Sequence, residues 1–191
     1  MPSTVAKHQY IMLDPIFPYQ EDQYPEITVS YAFDLPIAQR AKIHSSSEVV
    51  DILRHIYPSD ALEYCELFYV LYFTRANDLI GYHLHSVGGL SSTTVDIKQM
   101  FGIAARVNAA SLILSHSHPS GTITPSRADI SITKKVVDAA ALFDLTVLDH
   151  IILTKESFYS FTDDGTLPVS LKRTSMGVMA YYNSYPVSWD N

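Results

Sequence analysis

The stretch Ala110-Ser111-Leu112-Ile113-Leu114-Ser115-His116-Ser117-His118-Pro119-Ser120-Gly121 sets the reading of the whole chain. Its apolar half has the length and composition of a short buried strand. His116 and His118 stand one residue apart just past that strand, so both imidazoles point to the same side, because extended side chains alternate with period two. Pro119 and Gly121 then end the strand and turn the chain. Ser126 and Asp129 follow in the pattern Ser-x-x-Asp, which opens a helix. A helix starting beside the strand end brings the Asp129 carboxylate toward the two rings. Two nitrogens and one oxygen suit one zinc ion, with a fourth position left for water, as hydrolytic zinc sites require.

Downstream, a helix from Ser126 or Arg127 carries Ile130, Ile132, Val136, Val137, Ala140 and Ala141 and closes around Phe143-Asp144. Strands follow at Thr146–Leu153 and Phe158–Phe161. Upstream, Glu63–Phe73 is aromatic and branched after Glu66, which makes a buried strand. Arg75–Asp78 is turn chemistry, and Leu79–His85 returns as a hairpin partner that Gly88-Gly89 breaks. Asp96 is an N-cap for a helix bearing Ile97, Met100, Phe101, Ala104 and Ala105. Ser45 with Glu48 forms a capping box for a short helix that ends near Tyr57-Pro58.

The expected fold is therefore α/β: one domain at residues 43–165, with a mixed β-sheet flanked by helices. Residues 1–42 are proline-bearing and read as an extended arm, with one edge strand at Ile27–Phe33. Residues 166–191 read as an irregular tail.

Composition narrows the function classes. The chain has 191 residues, 47% of them hydrophobic, with 13 Tyr and 8 Phe, so a core forms without cross-links. Cys65 is the single cysteine, which rules out an intrachain disulfide framework and suits a reducing, cytoplasmic setting. It has no His or Asn partner pattern, so packing is its expected use. No stretch reads as a secretory signal or a membrane span. A formal charge of −7 with no Lys/Arg block disfavours direct nucleic-acid binding.

Beyond these readings, His116-Ser117-His118-Pro119, six residues, Ser126, two residues and Asp129 match the JAMM signature of JAB/MPN-domain metallopeptidases. Asn108–Leu114, Pro125–Ile130 and Val147–Ile152 are similar to the bacterial RadC-like branch, and Gly88-Gly89 with Val95-Asp96 resembles the shorter RadC-like proteins of mobile elements. The resemblance covers roughly Ile43 to Gly165. It implies a JAB/MPN-like (cytidine-deaminase-like) fold and a zinc metallopeptidase that cleaves a peptide or isopeptide bond in a protein or peptide substrate. The metal ligands would be His116, His118 and Asp129.

The JAMM pattern also requires a glutamate at the start of the first strand. Glu66 before Leu67-Phe68-Tyr69-Val70 matches that context as general base, and Glu63, one turn away, is the alternative. Ser126 would donate to the developing oxyanion or serve only as an N-cap. A homodimer is a further implied option, since JAB/MPN domains often dimerise. Full-length RadC proteins carry an N-terminal helix-hairpin-helix region, of which residues 1–42 show no sign, and often acidic residues where this chain has His83 and His85. The alternative function is thus a non-catalytic RadC-like module in DNA repair or mobile-element biology, acting through a protein or nucleic-acid partner. His83 and His85 are expected at the surface or in a groove, and His150 as a buried histidine bonded to backbone at a strand end.

Overall fold

Leu67-Phe68-Tyr69-Val70-Leu71-Tyr72-Phe73 has no polar face, so a strand made from it must be covered on both sides. It is strand β1 (Leu67–Phe73), and all seven residues are buried. The computed structural model describes residues 36, 39–88, 95–174 and 177–181, with side chains up to Ser170. The expected edge strand at Ile27–Phe33 lies outside the described residues.

β1 pairs antiparallel with β2 (Leu79–Val87) and with β3 (Ser111–Ser117). β3 pairs parallel with β4 (Thr146–Leu153), and β4 antiparallel with β5 (Phe158–Ser160). The resulting mixed sheet has five strands in the order β2-β1-β3-β4-β5. The parallel pair is joined by helix α3 (Arg127–Ala140) and a 3₁₀ turn at Ala141–Phe143. Helix α1 (Ser46–Ile56) precedes β1, and α2 (Ile97–Arg106) lies between β2 and β3.

Period two sorts β1 between two apolar layers. Leu67, Tyr69, Leu71 and Phe73 pack with Val49, Val50 and Leu53 of α1. Phe68, Val70 and Tyr72 pack with Met100, Phe101 and Ala104 of α2 and Val136, Val137 and Ala140 of α3. Fully burying each large side chain contributes about 1.5–3 kcal/mol. The sheet is therefore the middle layer, with α1 on one face and α2 and α3 on the other.

The caps follow the sequence with one adjustment. Ser45 Oγ accepts the Glu48 N–H, but the Glu48 carboxylate reaches past Ser45 to the His44 N–H at 2.6 Å. At α3 the box closes fully: Ser126 Oγ accepts from Asp129 N, and Asp129 Oδ2 accepts from Ser126 N at 2.7 Å. The buried stripe of α3 is Thr133, Val136, Val137 and Ala140, whereas Ile130, expected on the apolar face, is 49% exposed. Near the C-terminus β6 (Ser170–Thr174) and β7 (Gly177–Tyr181) pair as an antiparallel hairpin, which the composition of that stretch does not signal.

β4 carries a bulge that matters for the site. Leu112 lies opposite Val147 but Ile113 lies opposite Asp149, so Leu148 is the extra residue. A bulge shifts the alternation by one and re-aims every later side chain. His150 consequently pairs with Leu114, on the α3 face of the sheet, and Ile151 with Ser115, on the α1 face.

Asp149 is fully buried beside the bulge. Its carboxylate accepts from Ser160 Oγ at 2.5 Å, from Thr162 N at 3.0 Å and from His150 N at 2.7 Å, tying β4 to the β5 end. Burial outweighs these bonds and pushes its pKa from 3.8 up to about 6. The folded protein thus keeps a proton that the unfolded chain releases. The contribution is full below the unfolded value and is lost as pH rises through about 6, a difference of about 3 kcal/mol. In Asp149→Asn the amide oxygen keeps the two backbone bonds and the amide N–H₂ faces Ser160. The stability of wild type relative to Asp149→Asn is expected to fall by about that amount between a pH below 3.8 and neutral pH. Urea unfolding at both pH values measures it, and parallel pH profiles for the two proteins would refute the assignment.

Candidate metal centre

The parallel β3–β4 pair ends on one side of the sheet, and β1, antiparallel to β3, begins there. β3 runs further than the apolar stretch suggests: it extends through Ser115 and His116 to Ser117, so His116 is a strand residue rather than a loop residue. His118 follows directly, its N–H bonded to Leu153 O at 3.0 Å, so it continues the pairing with β4. His116 and His118 thus share one face, with ring centroids 4.6 Å apart. Gly121, at φ 75°, takes a left-handed conformation at the turn, where its N–H bonds His118 O.

Asp129 reaches the rings because it sits one turn before Thr133 on the buried stripe of α3. Its Oδ1 is 3.2 Å from His116 Nε2 and its Oδ2 is 3.5 Å from His118 Nε2. The two Nε2 atoms are 2.9 Å apart. Ligand atoms about 2.0–2.1 Å from a tetrahedral zinc lie about 3.3 Å from one another, so this spacing fits a metal ion. Among the described residues, His116, His118 and Asp129 form the one group of side chains so placed.

The electrostatics suit the same use. Burial alone would raise the Asp129 carboxyl, but the adjacent His116 and His118 rings and Ser126 hold it well below the usual carboxylate range. The positive end of α3 acts in the same direction. His118 is raised above its ordinary value, chiefly by Asp129, against the opposing effect of burial. Its Nδ1 faces Thr122 O at 2.7 Å, an acceptor only, so Nδ1 carries the hydrogen and Nε2 faces Asp129 and His116. A ring tied in this way is the usual form of a ligating histidine.

Glu66 stands at the mouth of β1. β1 and β3 pair Phe68 with His116. Extending that register by two residues sets Glu66 across from His118, whose pKa it also raises. Ser117 fixes this placement from the other face of β3. Its Oγ accepts from Leu67 N at 2.9 Å and donates to Cys65 O at 3.1 Å, bracketing Glu66 on both sides. Gly88 N donates to Glu66 O at 2.8 Å. Glu63 is instead exposed and pairs with Lys155 at 2.7 Å. Ser126 is exposed at the α3 cap, its Oγ accepting from Asp129 N at 3.2 Å.

Two expectations change. His150, expected to bond backbone, is fully buried and bonds side chains: Nε2 meets His116 Nδ1 at 2.8 Å, and Nδ1 meets Thr133 Oγ1 at 2.6 Å. The bulge in β4 and the four-residue step from Asp129 to Thr133 bring these groups together. The adjacent Asp149-His150 pair was a visible signal, while Thr133 had none beyond its helical phase. His85, expected at the surface or in a groove, is buried near the Phe68 ring, and its Nε2 accepts the Asp96 N–H at 2.9 Å, anchoring the start of α2. His83 lies beside it, ring centroids 6.0 Å apart.

Comparison with known proteins follows the same lines. A family model described as RadC-like JAB domain matches residues 43–166. A UPF0758 protein of Flavobacterium johnsoniae is 37% identical over 146 residues, 73% of this chain and 62% of its own length. A UPF0758 protein of Fusobacterium nucleatum is 34% identical, over 61% of this chain and 50% of its own length. The UPF0758 protein YfjY of Escherichia coli K12 is 42% identical over 102 residues, 53% of this chain and 64% of its own length. The chain thus spans between half and just under two thirds of the length of these relatives. No helix among the described residues is long and apolar enough to cross a membrane.

Proposed function

Because the chain belongs to the RadC-like JAB domain family, we propose that it is a zinc-dependent hydrolase of JAMM type that cleaves a peptide or isopeptide bond. The observation that carries this reading is the convergence of His116 Nε2, His118 Nε2 and Asp129 within 2.9–3.5 Å of one another. When bound, zinc supplies Lewis acidity and brings the pKa of water down to about 7.

The protein's own groups do the rest. His116, His118 and Asp129 would hold the ion. The Glu66 carboxylate takes a proton from the attacking water and returns it to the leaving nitrogen, the double duty of a general base that becomes a general acid. Ser126 donates its hydroxyl hydrogen to the carbonyl oxygen as negative charge grows there. The substrate is a protein or peptide, and with a single cysteine and a charge of −7 the chain suits the cytoplasm and has little attraction for nucleic acid.

Protein purified without chelator is expected to hold about one zinc per chain and to hydrolyse peptide or isopeptide substrates. A chelator should abolish turnover and added zinc restore it. Protein that carries no metal and gains none on zinc addition would overturn the proposal. A gel shift that persists at moderate salt would instead favour a nucleic-acid-binding module.

A further inference from the structure

His116 has its own support, and a count of hydrogens defines it. Thr133 Oγ1 lies 2.5 Å from Asp129 O and 2.6 Å from His150 Nδ1. The hydroxyl has one hydrogen, and the Asp129 carbonyl can only accept, so that hydrogen goes to the carbonyl. Thr133 Oγ1 must then accept from His150, which places the His150 hydrogen on Nδ1.

His150 is enclosed between the Phe161 ring, stacked at 5.0 Å, and the Phe68 ring, at 5.8 Å. It is fully buried, and its ring nitrogens bond only His116 and Thr133, so it stays neutral. A neutral ring with hydrogen on Nδ1 has a bare Nε2. That Nε2 faces His116 Nδ1 at 2.8 Å and accepts its hydrogen.

We propose that His150 and Thr133 are positioning residues that fix His116 in the tautomer whose Nε2 lone pair faces His118 and Asp129. The relay runs from the Asp129 carbonyl through Thr133 and His150 to His116, whose Nε2 lies 3.2 Å from the Asp129 carboxylate. The backbone of one ligand position is thereby linked to the ring of another. Its use in metal binding rests on the hydrolase reading above, whereas the tautomers themselves do not.

The tautomers are read in metal-free protein carrying ¹⁵N-labelled histidine, by long-range ¹H–¹⁵N correlation at mildly alkaline pH, and zinc affinity by competition with a chromophoric chelator. Wild type should show His116 and His150 both with hydrogen on Nδ1. Thr133→Val, which keeps the side-chain shape, should move His150 toward hydrogen on Nε2, disturb His116 and weaken zinc binding about 10–100-fold. Thr133→Ser, which keeps the hydroxyl, should restore both readouts. A merely structural Thr133 would leave the ring signals unchanged.

A wild-type His116 with hydrogen on Nε2, or a Thr133→Val protein with wild-type ring signals, overturns the proposal. Expected tautomers in wild type and both variants, without zinc uptake by any, support the relay and overturn the hydrolase reading instead.

Discussion

Glu66→Gln is expected to lower turnover by roughly 10²–10⁴-fold while metal content stays at the wild-type level. The substitution removes a proton acceptor and little else. The contacts that hold this position in place are backbone ones: Leu67 N and Cys65 O on Ser117 Oγ, and Glu66 O on Gly88 N. All three survive the change, so the amide should occupy the place of the carboxylate across from His118. Glu63→Gln is the matched control. Its carboxylate pairs with exposed Lys155, a contact screened by solvent. Steady-state kinetics with zinc quantified in the same samples separates the two. Full turnover in Glu66→Gln would remove the residue from the mechanism, and loss of zinc would make it a ligand rather than a base.

Asp129→Ala is expected to abolish stable zinc binding. With two nitrogens left, the site loses its only anionic ligand and its third donor, a larger defect than loss of an outer partner, which costs about 10–100-fold. Linkage makes this visible without any substrate. Zinc at about a thousand times its dissociation constant should stabilise wild type by about 4 kcal/mol. For a chain of this size that raises the midpoint of thermal unfolding by about 8–16 °C. The variant should show no zinc-dependent rise. It also loses the N3 half of the α3 capping box, so its metal-free midpoint should sit lower by an amount set by about 1 kcal/mol. The comparison is therefore each protein with and without zinc. A zinc-induced rise in Asp129→Ala equal to that of wild type would mean that the metal binds elsewhere.

Most of the architecture was legible in the residues, because its determinants are local. β1 is too apolar to face water on either side, as is the Leu112–Leu114 centre of β3. Ser126, Asp96 and Ser45 mark helix starts by chemistry that acts within one turn. The spacing of His116, His118 and Asp129 was readable as well: period two sets the first pair, and a helix start right after a strand end returns the third.

The groups around that cluster were not legible, for physical reasons that can be named. Which of Glu63 and Glu66 lies across from His118 depends on the antiparallel register of β1 on β3, a long-range pairing that neither residue encodes alone. Thr133 sits in a stretch whose isoleucines suggest a different apolar face, and the packing of α3 on the sheet turned Ile130 outward and Thr133 inward.

His150 is the clearest case. Simple alternation along Thr146–Leu153 puts it on the α1 side of the sheet, and one extra residue, Leu148, reverses that. The sequence by itself determined which residue types are present and which short-range geometry each can adopt. The tertiary structure decided which of them meet, because strand register and a single bulge depend on the partners across the sheet.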